Sequence, residues 1–89
     1  MMLISHESME QVLESAAILV NLGLPARKLL AEAVEATGVK RKQLSKAAKD
    51  LEAAGFLFVR YIGNLWESQF ELVPTLAGEE ALEALDEQL

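Results

Sequence analysis

A chain of 89 residues has room for one domain with a modest core, since a protein this small buries only about 60 to 65% of the surface its unfolded form exposes. The absence of cysteine removes disulfides, thiolate chemistry and Cys-based zinc sites, and it fits a reducing cytoplasm, the expected location. The formal net charge of -6 hides a segregation: all eight Lys and Arg fall between Arg27 and Arg60, where only four acids accompany them, and the other ten Asp and Glu lie outside that window. A basic patch on an acidic background is an electrostatic footprint that attracts polyanions. The opening residues lack a basic leader, and the longest helical apolar run, Ala16 to Val20, is far short of the roughly 20 residues of a membrane span, so no membrane partner is expected. The hydrophobic fraction of 52% is high for a small monomer and predicts apolar surface covered by a second subunit.

The first predicted helix covers 8–22, where Met9, Val12, Leu13, Ala16, Ala17 and Val20 recur at helical spacing and Ser8 with Gln11 fits a capping box. Ile18, Leu19 and Leu22 widen its apolar stripe until it nearly surrounds the helix, as in one buried on two sides. Gly23 closes it and Pro25 opens a second helix, predicted over 25–37, with Leu29, Leu30, Ala33 and Val34 as its apolar face and Gly38 as its stop. A third helix is predicted over 40–54 from Leu44, Ala47, Ala48 and Leu51, which places Lys42, Lys46 and Lys49 on the opposite face with Gln43 and Ser45 at its flanks. Gly55 ends it. Alternating segments from Phe56 to Tyr61 and from Trp66 to Val73, around a turn containing Gly63 and Asn64, predict a hairpin over 56–73. On its second strand Trp66, Ser68, Phe70 and Leu72 share the face assigned to the core. Thr75 then caps a final helix over 75–88, with Ala81, Leu82, Leu85 and Leu89 as its stripe.

The stretch TGVKRKQLSKAAKDLEAAGFLFV resembles the turn, recognition helix and first wing strand of bacterial regulators of the MarR, PadR and ArsR type. ELVPTLAGEEALEAL is similar to the segment that leaves the wing in MarR-like and PadR-like proteins, where a Thr followed three residues on by Gly starts a final, often dimerising helix. The resemblance implies a mainly α fold with a small β-hairpin: a winged helix-turn-helix with a three-helix core, a two-stranded wing and a C-terminal helix. It further implies a small homodimeric transcriptional regulator binding double-stranded DNA in a sequence-directed way, its recognition helix in the major groove. On that reading Lys42, Gln43, Ser45, Lys46 and Lys49 face base edges and neighbouring phosphates. Lys40 and Arg41 at the turn, and Arg27 and Lys28 at the start of the second helix, contact the backbone.

The alternative, from another class, is a winged helix that serves as a protein-protein module or complex subunit without DNA binding, its lysine face meeting an acidic partner. The pI of about 4.7 and a wing tip without Arg or Lys favour that reading. A lysine stripe is also, in many helices, only the solvated side. The aromatics Phe56, Phe58, Tyr61, Trp66 and Phe70 are expected to pack in the core rather than stack on nucleobases. His6, the single histidine, precedes the first helix without a ligand partner. Neither catalysis, a metal nor a cofactor is expected, because no nucleophile-base set and no phosphate-cradling Gly-rich loop can be assembled.

Overall fold

The computed structural model describes residues 9–88, so the Ser8 cap, His6 and Leu89 lie outside the described residues. The described chain is mostly helical, with four helices and a three-stranded antiparallel sheet in the order α1 (Met9–Leu22), α2 (Leu24–Ala36), β1 (Val39–Arg41), α3 (Lys46–Ala53), β2 (Leu57–Tyr61), β3 (Phe70–Pro74) and α4 (Leu76–Gln88). Among the described residues no helix is long and apolar enough to cross a membrane.

Helix α1 buries Ala16 and Leu19, and it shares its largest interface with α4, which contributes Ala77, Ala81, Leu82 and Leu85. Gly23, at φ 98°, breaks the path between α1 and α2, and Pro25 sits in the first turn of α2, where a missing amide hydrogen costs nothing. Helix α2 is the hub, touching α1, α3, α4, β1 and β3 through a face of Ala26, Leu30 and Ala33. It stops at Thr37, which takes the left-handed conformation at φ 55°. The amides of Thr37 and Gly38 bond back to Val34 and Ala33.

The next segment departs from the expected helix over 40–54. Residues 39–41 form β1, antiparallel to β3, with Val39 opposite Leu72, Lys40 opposite Glu71 and Arg41 opposite Phe70. Helix α3 begins only at Lys46. The physical reason is the cap: the Ser45 hydroxyl accepts a hydrogen bond from the Ala48 amide at 3.2 Å, which a lysine at position 40 cannot do. Its buried Ala48 and Leu51, with half-buried Leu44 and Ala47, keep the apolar face read from the sequence.

The sheet order is β1-β3-β2, so the expected two-stranded hairpin gains a third strand and β3 becomes its centre. Leu72 lies between Val39 and Val59 and is fully buried. On the opposite face Lys40, Glu71 and Arg60 line up across the strands, with Arg60 and Glu71 ion-paired. The hairpin spans 57–74 rather than 56–73, and its second strand starts at Phe70 rather than Trp66, which lengthens the loop. The largest fully buried side chains are Leu19, Leu30, Leu51, Phe56 and Leu72, which join α1, α2, α3, the α3–β2 turn and the sheet in one core.

One polar connection locks the two halves. Thr75 is buried, its hydroxyl donates to the Gly55 carbonyl at 2.7 Å and accepts from the Gly78 amide at 3.0 Å, and its own amide bonds the Phe56 carbonyl. Thr75 thus caps α4, as its sequence position suggests, while fastening that helix to the turn after α3.

Candidate nucleic-acid interface

The basic segment converges on an open cleft of about 560 Å³ between α3 and the hairpin loop. One wall is Lys42, Gln43 and Leu44, from the bend that precedes α3, together with Lys49 from the helix itself. The facing wall is Trp66, Glu67, Ser68 and Phe70. Ser45 borders the cleft in sequence, but its hydroxyl is engaged as the α3 cap. Lys40 and Arg41 belong to β1, and Arg27 and Lys28 to the first two turns of α2; none of these four lines the cleft.

The cations differ in how free they are. Arg41 bonds the Glu32 carboxylate at 2.8 Å, Lys46 pairs with Asp50 at 2.9 Å one helical turn on, and Lys42 lies 3.9 Å from Glu67. Arg27, Lys28, Lys40 and Lys49 form no ion pair among the described residues. Exposed pairs of this kind contribute only about 0 to 1 kcal/mol, so an arriving anion can displace a carboxylate from Lys42 or Lys46. Lys49 needs no such exchange, which makes it the most available charge in the cleft.

The hairpin loop is built to hold its tip outward. The Asn64 side-chain oxygen accepts from the amides of Trp66 and Glu67 at 2.8 and 2.9 Å, and the Asn64 amide bonds the Glu67 carbonyl. This side-chain-closed turn leaves Leu65 at 97% and Trp66 at 91% exposure. Gly63 is required just before it: a Cβ there would fall 2.7 Å from both the Gln69 amide nitrogen and the Tyr61 hydroxyl. Tyr61 packs edge-on against Phe70, with ring centroids 5.3 Å apart, at the base of the loop.

Three of the aromatics expected in the core lie outside it. Phe56 is core and Phe70 is half-buried, but Phe58, Tyr61 and above all Trp66 face solvent. Alternation placed Trp66 in register with Leu72, whereas the loop runs through residues 62–69 and removes Trp66 from the strand altogether. The polar run Glu67, Ser68 and Gln69 after Asn64 was the available signal that the turn extends beyond Gly63 and Asn64. No group of three or more metal-ligating side chains is found among the described residues. Comparison with protein-family models, curated proteins and solved structures finds no match to this chain.

Proposed function

We propose that this protein is a winged-helix DNA-binding module, working as a small homodimeric regulator with duplex DNA against the face made by residues 42–45 and α3. The observation that carries this reading is the convergence of Lys42, Gln43 and Lys49 on one exposed cleft, in a chain otherwise dominated by acids. The eight residues of α3 give a helix about 12 Å long, and an α-helix with its side chains is about 10 to 12 Å across, which fits a major groove about 12 Å wide. The three-stranded sheet with an extended hairpin is compatible with a wing. Residues 37–45, which include β1, replace the three- or four-residue turn of a simple helix-turn-helix.

The test is anisotropy of a labelled mixed-sequence duplex across a salt series. Wild type is expected to bind with a slope of log K against log salt of roughly -3 or steeper. Lys49→Glu should weaken binding about tenfold or more and flatten the slope by about 1, and the Lys42, Lys46, Lys49 triple Glu variant should not bind. Absence of wild-type binding at low salt sinks the proposal. It would leave the protein-protein module, which one observation favours: Arg41, Lys42, Lys46 and Arg60 already face carboxylates within the chain, the chemistry an acidic partner would offer.

Homodimerisation belongs to the same proposal. The α4 stripe is spent inside the chain against α1, which leaves Leu13, Ala17 and Val20 as an exposed row on α1, with Leu24 and Leu76 also exposed. Their spacing of four and three residues is that of a helix seam. The double variant Leu13→Asp with Val20→Asp is expected to halve the mass measured by light scattering. A wild-type protein that is monomeric at high concentration overturns this assignment.

A further inference from the structure

We infer that the cleft holds an unpaired nucleobase of single-stranded DNA, stacked on the Trp66 indole with its phosphate against Lys49, so that the protein prefers unpaired DNA to continuous duplex. This inference rests on the DNA-binding reading and names the substrate class of the same site. It starts from an aromatic ring that no part of the fold covers. Trp66 is the single tryptophan of the chain and lines the cleft while remaining 91% exposed. Its outward position is maintained by the two bonds to the Asn64 side chain and by the space reserved at Gly63. A tryptophan face held in water beside cations is the pairing from which single-stranded nucleic-acid sites are built: bases stack on the ring and a basic groove tracks the backbone.

The remaining walls suit a base better than an apolar peptide. Gln43, Glu67 and Ser68 border the same volume and offer both donors and acceptors to a base edge, and Phe70 and Leu44 form the apolar part of its lining. Lys49 is unpaired among the described residues, and Lys42, held only at 3.9 Å from Glu67, can turn to a second phosphate. Glu67 itself repels phosphate, which favours the base edge rather than the backbone on that side of the cleft. A base inside a continuous duplex has both faces occupied by its neighbours and cannot reach Trp66 without unstacking, a cost that single-stranded DNA does not carry.

The experiment measures two signals on one sample: anisotropy of a labelled short oligothymidylate or a labelled blunt duplex of equal length, and the emission of Trp66. Oligothymidylate is expected to bind about tenfold tighter than the duplex and to quench Trp66 as it binds. Trp66→Ala should lose that advantage without losing duplex binding, and Trp66→Phe should retain most of it. Equal affinities with unchanged Trp66 emission, or an unaltered affinity of Trp66→Ala for oligothymidylate, overturn the stacking inference and leave DNA binding standing. No anisotropy change with either probe overturns both.

Discussion

Gly78→Ala is expected to lower the melting temperature by about 12 to 24 °C, a large effect for one methyl group. The turn after α3 and the start of α4 approach so closely that a Cβ at position 78 would press into the Phe56 carbonyl oxygen and lie 3.1 Å from that residue's carbonyl carbon and Cα. All three obstacles are backbone, so no side chain can swing aside. Nor can the helix start retreat, because the Thr75 hydroxyl holds it between Gly55 and Gly78, and the Thr75 amide is bonded to the Phe56 carbonyl. Overpacking of this kind costs about 3 kcal/mol, and in a domain of this size each kcal/mol moves the midpoint by about 4 to 8 °C. Thermal denaturation followed by circular dichroism measures it. A midpoint within about 2 °C of wild type would mean that the approach of α4 to Phe56 relaxes freely, and the lock described around Thr75 would be wrong.

Leu72→Ala and Trp66→Ala are expected to differ sharply in stability, because strand alternation puts the two residues on one face and the structure separates them. Leu72 is fully buried at the middle of the central strand, between Val39 and Val59, and its truncation leaves a cavity in contact with the main core. The expected loss is about 3 to 4 kcal/mol by urea denaturation. Trp66, exposed in the loop, is expected to change stability by less than about 0.5 kcal/mol when truncated. A substantial destabilisation by Trp66→Ala would show that the indole packs against the protein in solution, and the stacking platform would lose its basis. Comparable losses at both positions would restore the single buried face suggested by alternation.

Much of the basic site was legible before the fold. The clustering of Lys and Arg is a property of order along the chain, so Lys42, Gln43 and Lys49 could be named as neighbours from spacing alone. The single helix that spacing gives them is not what the fold makes. Lys42 and Gln43 precede α3 in a bend, and Lys46, expected on the same stripe, is paired with Asp50. Strand alternation hides the hairpin wall of the cleft, because it makes Trp66 a strand residue. A bulky aromatic four residues before Phe70 and six before Leu72 is in phase with both at the strand period, so it looks like core when only period is considered.

The division between chain and fold follows the range over which each force acts. Helix limits set by local chemistry were readable: Gly23, Gly38 and Gly55 at positive φ, Pro25 in a first turn, and Thr75 accepting from an amide three residues on. So were the apolar faces of α2, α3 and α4, because burial repeats within a few residues of sequence. What the tertiary structure alone decided depends on partners distant in sequence. Residues 39–41 are extended because β3 supplies hydrogen bonds from Phe70 to Leu72, and three residues carry too short a pattern to announce a strand. That pairing draws Lys40 and Arg41 out of the expected helix and leaves Ser45 to cap an α3 that begins at Lys46. The Asn64 turn likewise ends the ladder at Tyr61 and Phe70 and sends Trp66 into solvent facing Lys42 and Lys49, a juxtaposition that no local propensity contains.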